Sequence, residues 1–174
     1  MIGIFNYGHS NINSITSALK ILLIDHKVSS IFNNLKHCEK IIFPGVGNMK
    51  AVNLDDLDKI KISIDEYLNN NGIIYGICLG LQLLFDYNDE AGQKTLGLIR
   101  GDTKKIYDDY NSELNVQFSS LHDEKNQNNN IVNQLFKNLS LNEKFYFLHK
   151  YYCHSTDDKA IILYSLCNEK KMPS

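Results

Sequence analysis

The run Ile73-Ile74-Tyr75-Gly76-Ile77-Cys78-Leu79-Gly80-Leu81-Gln82-Leu83-Leu84-Phe85 decides how this chain is read. It begins as a strand-like apolar segment and ends with helical spacing. One cysteine stands at the change, so the run reads as strand, nucleophile and helix. Glycines two before and two after Cys78 give the G-x-nucleophile-x-G spacing. Small residues at those places let a sharp strand-to-helix turn hold the nucleophile out of the sheet. Leu79 would open the helix, and the unpaired N–H groups and positive dipole end there predict a favoured thiolate at Cys78. A small buried cysteine at a strand end is the plainer reading of an isolated Cys. The bracketing glycines and the change of periodicity turn the reading toward nucleophilic chemistry.

The surrounding sequence repeats the alternation of strand and helix. Ile2 to Asn6 reads as a buried strand ended by the turn-rich Tyr7-Gly8-His9-Ser10-Asn11. Ile12, Ile15, Leu19, Leu22 and Leu23 then share one helical face. Val28 to Phe32 and Lys40 to Phe43 are further strands, the latter stopped by Pro44-Gly45-Val46-Gly47-Asn48. Ile60, Ile64, Tyr67 and Leu68 make a second helical face, closed by Asn69-Asn70-Asn71-Gly72. This order predicts an α/β fold with a mostly parallel central sheet and helices on both faces. Ligands bind such sheets beyond the carboxyl ends of the strands, so the loops at Tyr7–Asn11, Pro44–Asn48 and Gly76–Gly80 are expected at one edge.

Beyond Tyr87 the pattern weakens. Thr95 to Gly101 suggests a short strand with turns, and Asn126-Gln127-Asn128-Asn129-Asn130 a mobile loop. Phe145–Leu148 and Ala160–Tyr164 read as the last strands. The 174 residues are expected to form a single domain, large enough to bury about 70% of the surface of the unfolded chain.

Composition narrows the function classes. A hydrophobic fraction of 43% with 22% charged residues fits a globular chain. The net charge of −2 and scattered Lys and Arg leave no footprint for nucleic acid. Cys38, Cys78, Cys153 and Cys167 have neither C-x-x-C spacing nor a dense framework, which predicts reduced thiols in a cytoplasmic protein. The absence of a signal-like N-terminus or an 18-residue apolar run agrees.

Acyl transfer at a cysteine needs N–H donors for the tetrahedral oxyanion. The amide after the nucleophile, Leu79, is one candidate. Gly47, in a loop where glycine lets the peptide reorient cheaply, is the second.

The quoted run resembles the nucleophile motif of class I glutamine amidotransferases. Further matches resemble one family within them, the glutaminase subunits of imidazole glycerol phosphate synthase. These are I-x-x-Y-G-x-x-N at Ile4–Asn11, PGVG at 44–47, GICLGxQLLF at 76–85, the GLGLIxG-like segment at 95–101 and YFxHxYY at 146–152. The resemblance implies that Cys78 attacks the carboxamide of glutamine and that ammonia passes to a cyclase subunit in a heterodimer. It implies no cofactor and no metal. Gly47 and Leu79 would serve the oxyanion, and Gln82 and Gly45 would help bind glutamine. Tyr146, His149 and Tyr152 would lie where the cyclase docks.

The family's catalytic base is a His-Pro-Glu pair near the C-terminus, and no His-x-Glu follows Cys78 here. Met172-Pro173-Ser174 resembles the segment just ahead of that strand, so the resemblance implies a chain lacking the His-Pro-Glu strand and the closing helix. The family's P-H-x-G-W-N stretch is replaced around Val116-Gln117-Phe118-Ser119-Ser120. His149 and His154 are weak stand-ins for the base, being expected to pack or face an interface. His9, His26, His37 and His122 lack metal-ligand spacing. The carboxylates Asp55, Asp56, Asp58, Asp108 and Asp109 read as solvated faces and turns. Two alternatives stay open: an amidotransferase subunit for surface-sugar amination, and a catalytically dead binding subunit or remnant.

Overall fold

A computed structural model of the chain describes residues 1–53, 57–106, 115–122, 134, 136–157, 163–167 and 170–173. The expected loop at Asn126–Asn130, the start of the expected strand at Ala160, the carboxylates of Asp55, Asp56, Asp108 and Asp109, and the side chain of Asp58 lie outside what is described.

The first half alternates as its periodicity predicts. Strand β1 (Ile2–Phe5) is followed by helix α1 (Ile12–Ile21), β2 (His26–Ser29), β3 (Lys40–Phe43), α2 (Leu57–Asn69), β4 (Ile73–Gly76) and the one-turn helix α3 (Leu79–Gln82). The four strands form one parallel sheet in the order β2-β1-β3-β4. The crossover from β1 to β2 runs one way along the sheet and that from β3 to β4 the other. Right-handed crossovers in opposite directions place α1 and α2 on opposite faces.

Two boundaries differ from the sequence reading for tertiary reasons. Val28–Phe32 was the expected second strand, but parallel pairing with Ile2–Phe5 aligns His26–Ser29 instead. Phe32 then opens a 3₁₀ turn, Phe32–Leu35, that buries its ring. The expected apolar face of α1 is truncated as well. The helix ends at Ile21, and Leu23 adopts a left-handed conformation (φ 55°) that turns the chain back toward β2. Leu22 and Leu23 are therefore exposed, and Leu19 is the buried member of that face.

The second half builds smaller sheets. Strands β5 (Phe85–Asn88), β6 (Gln93–Lys94), β7 (Ile99–Lys105), β8 (Asn115–Ser119), β9 (Phe145–His149), β10 (Tyr151–Ser155), β11 (Tyr164–Cys167) and β12 (Lys170–Pro173) follow in order. A mixed sheet has the order β10-β7-β5-β6, while β8-β9 and β11-β12 are antiparallel ribbons.

An aromatic cluster at the carboxyl ends of the parallel strands holds the first half together. Phe5 lies 5.1 Å from Phe43 and 5.7 Å from Phe32, ring centroid to centroid, and Phe32 meets Tyr67 edge-on at 5.9 Å. The buried Tyr67 hydroxyl donates toward the carbonyls of Cys38 (3.1 Å) and Ile73 (3.3 Å) and accepts from the Ile73 N–H (3.3 Å). It thereby ties α2 to the starts of β3 and β4. Tyr67→Phe keeps the ring but orphans these groups, and should cost about 1–2 kcal/mol in urea denaturation. An unchanged midpoint would show that the hydroxyl is not a structural tie.

Candidate active site

The backbone turns at Cys78 with φ 53° and ψ −114°, outside the regions ordinary residues occupy. Such a conformation costs of order 1–3 kcal/mol and persists only where the surroundings enforce it. Here they do. Ile77 N–H donates to the Phe43 carbonyl (2.9 Å), which extends the β3–β4 pairing up to the turn. Gly80 N–H returns to the Ile77 carbonyl (3.0 Å), and Gln82 N–H to that of Cys78 (3.1 Å). A Cβ on Gly80 would collide with the same Phe43 carbonyl, so only glycine lets α3 start this close to the end of β3. Cys78 is exposed at the turn, whereas Cys38, Cys153 and Cys167 are buried.

The three expected loops meet at this turn. Val46 N–H donates to the His9 carbonyl (3.0 Å), joining the loop after β1 to the loop after β3. That second loop lies against the elbow: a Cβ on Gly45 would strike the Tyr7 hydroxyl, the Gly80 nitrogen and Leu79 Cβ. Gly47 is left-handed (φ 103°) with open space on its Cβ side. Among the described residues its N–H has no partner. The Leu79 N–H lies close enough to the Cys78 sulfur to favour its charged form. Gln82 is buried, its side-chain carbonyl accepting from Asn88 Nδ2 at 3.2 Å. The structure thus brings Cys78, Leu79 and Gly45 together, with Gly47 two residues further along the same loop, and buries the Gln82 amide behind the elbow.

Glu90 joins the site without having been marked in the sequence. It follows β5, accepts a hydrogen bond from Met49 N–H (2.9 Å), and lies near enough to Cys78 to disfavour its ionisation. The contact spans 41 residues, and no local pattern announces it. Cys153, on β10, also stands beside Cys78; burial first, then that neighbour, pushes its thiol up to about 12.

The expected stabilised thiolate is corrected by these surroundings. Although Cys78 is exposed as a residue, the protein atoms packed around its sulfur desolvate the thiol and raise it above its ordinary range; the Leu79 N–H opposes this, and Glu90 raises it further. The helix behind the elbow is a single turn, Leu79–Gln82, because the chain leaves at once into β5. Its dipole is correspondingly short.

Neither candidate histidine is poised as a base for Cys78. His149 Nδ1–H donates to the Tyr151 carbonyl (2.9 Å), and Nε2 accepts from Asn115 Nδ2 (2.9 Å), an arrangement that suits the neutral ring. His154 Nδ1 pairs with Asp102 Oδ1 at 3.1 Å. No hydrogen bond between a histidine ring and Cys78 occurs among the described residues.

Burial lowers the basicity of His149, with the Tyr151 carbonyl partly opposing it. The unfolded chain therefore binds a proton at higher pH than the folded one. Stability contributed here is complete above the ordinary imidazole value of 6.5 and is lost as pH falls through it toward the lower folded value. Urea midpoints at pH 8 and pH 5 should show a smaller acid loss in His149→Gln than in the unaltered chain. An equal or larger loss in the variant would contradict the assignment.

Comparisons with known proteins agree with this geometry. The family profile described as glutamine amidotransferase class-I matches residues 4–172. The imidazole glycerol phosphate synthase subunit HisH of Leptospira borgpetersenii is 36% identical over 165 residues, covering 93% of this chain and 79% of that protein. The corresponding HisH of Methanocaldococcus jannaschii is 34% identical over 162 residues, covering 91% and 76%. A solved glutamine amidotransferase superposes with a TM-score of 0.67 at 13% identity, covering 99% of this chain and 82% of that one. The structure of PurLQS from Thermotoga maritima gives 0.66 at 21%, covering 96% and 74%. These two likenesses speak for the fold. The parallel sheet, the glycine-bracketed cysteine at its carboxyl edge and the profile over nearly the whole chain lead to one conclusion: this protein belongs to the class I glutamine amidotransferase family, and HisH subunits are among its relatives.

Proposed function

We propose that this chain is the glutaminase subunit of an imidazole glycerol phosphate synthase, hydrolysing glutamine for a cyclase partner in the cytoplasm. The observation that carries the reading is the strained Cys78 elbow with the Pro44–Gly47 loop folded over it. In this reading the Cys78 thiolate attacks the carboxamide carbon of glutamine. Its C–N bond breaks as ammonia takes up a proton and leaves, and water then cleaves the γ-glutamyl thioester to glutamate. The Gly47 N–H and the Leu79 N–H hold the oxyanion, the latter once its pull on the sulfur is released as the new C–S bond forms. The Glu90 carboxylate, anchored by Met49 N–H, suits the α-ammonium of glutamine. Gly45 keeps the loop close, and Gln82 supports the turn from within through Asn88.

Both proton transfers need a base. Among the described residues, the outer edge of β4 is unpaired and leads into Cys78, and its Ile73 and Tyr75 are exposed. The family's His-Pro-Glu strand is the segment we place there. For the cyclase, the β8–β9 ribbon supplies a surface. Val116 pairs with Leu148 and Phe118 with Tyr146 across the strands, and all four are exposed. His149 lies on the opposite face of that ribbon, and Tyr152 packs on Ile106, Cys167 and Met172, so of the three residues expected at the interface Tyr146 is the one that faces outward. Among the described residues no helix is long and apolar enough to cross a membrane.

The raised Cys78 thiol also favours a second reading, a binding subunit without turnover. Ammonia release from glutamine separates the two. The 174 residues alone should work near background. Adding a His-Pro-Glu strand, assayed with a cyclase, should raise the rate about 10²–10⁴-fold. Enzyme-like turnover by the 174 residues that is lost in Cys78→Ala would overturn the placement of the base. No turnover in the extended chain with a cyclase would favour the binding subunit.

A further inference from the structure

Tyr7 stands at the centre of the three loops, and the mechanism above does not use it. Its ring packs beside Phe5, with centroids 6.1 Å apart at 35°. Packing alone would be served by phenylalanine. The hydroxyl oxygen, however, is shielded from solvent and has no hydrogen-bond partner among the described residues. Buried hydroxyls are nearly always bonded, and an exception calls for a reason.

The position of that oxygen supplies one. It occupies the space a Cβ on Gly45 would need, and Leu79 Cβ lies 2.6 Å from the same point. It is thus wedged between the Pro44–Gly47 loop and the first residue after the nucleophile. Among the described residues, the titratable groups around Cys78 are Tyr7 just after β1, Glu90 after β5 and Cys153 on β10. One of these, the acidic Glu90, resists negative charge on the sulfur; Cys153 is a buried thiol that keeps its proton and whose own ionisation Cys78 opposes. Burial, then Cys78, also pushes the Tyr7 phenol well above its usual range, so it keeps its proton throughout the working pH range. It is therefore a permanent donor without an acceptor among the described residues, beside a thiol whose one other donor there is the Leu79 N–H.

We propose that Tyr7 is a positioning residue for the nucleophile: its hydroxyl donates a hydrogen bond to the Cys78 thiolate when that thiolate forms. The neutral thiol leaves the hydroxyl unpaired, and ionisation turns the exposed Cys78 side chain toward it by rotation about the Cα–Cβ bond. The Leu79 N–H and the Tyr7 O–H then flank the sulfur. The proposal rests on Cys78 being the nucleophile and extends that reading.

The pH dependence of iodoacetamide alkylation, followed at the Cys78 peptide in the full chain, measures the thiolate without requiring turnover. Tyr7→Phe should move the midpoint up by about one unit, which is about tenfold less thiolate at neutral pH, while the rate at full ionisation is kept. A chain carrying 3-fluorotyrosine at position 7 retains the ring shape with a stronger donor, and should move the midpoint down. That second arm stands even if Tyr7→Phe fails to fold. A midpoint unmoved by fluorotyrosine, with Cys78 still alkylated ahead of the other cysteines, would overturn the proposal alone. Alkylation of Cys78 no faster than Cys38, Cys153 and Cys167 would overturn the nucleophile assignment and the proposal with it.

Discussion

Everything at the reactive edge depends on how closely the backbone at Gly80 approaches the Phe43 carbonyl. That approach has room for a hydrogen and none for a Cβ. It pins the first turn of α3 over the end of β3 and leaves Cys78 to absorb the change of direction in a left-handed conformation. The strain is held by packing on both sides. Leu79, Leu83 and Leu84 enter the same buried cluster as Phe5, Phe32 and Phe43, so relaxing the elbow would pull apolar side chains out of the core. At about 25 cal/mol per Å² of apolar surface, burying even one such leucine offsets the backbone cost. The sharp turn is thus a consequence of the core beneath it.

The same burial that enforces the turn works against its chemistry. A nucleophilic sulfur must carry charge, yet packing disfavours that charge and Glu90 adds to the opposition. In the proposed reaction the N–H groups of Leu79 and Gly47 would offset this as dipoles aimed at the developing charge. Preorganised donors in a water-poor site are worth more than the same donors in water. In the proposed reaction the ammonium of glutamine would offset the part of this opposition that Glu90 supplies, burial supplying the larger part.

What could be read from sequence was local. The periodicity of residues 2–86 marks strands and helices one at a time, and the glycines around Cys78 encode a turn within five residues. The loops at Tyr7 and Pro44 follow because parallel strands end on one side. What could not be read depends on distant partners. Glu90 meets Met49 across the site, and β2 is set by its register against β1 rather than by its own apolar residues. Strands β8, β10, β11 and β12 are short and lie in sequence too polar or irregular for a period of two to stand out. The state of the thiol is hidden for a related reason: burial first, and then Glu90, set it through distant segments, while the sequence displays only the helix start at Leu79.

The central claim is that the elbow, and not merely the presence of a thiol, makes Cys78 a nucleophile for glutamine. Labelling by a glutamine-mimicking electrophile, mapped to peptides and compared between the unaltered chain and Gly80→Ala, tests it directly. The account predicts label on Cys78 ahead of the three buried cysteines, falling at least tenfold in Gly80→Ala although the sulfur is still present. Equal labelling of Cys78 in the two chains would contradict it.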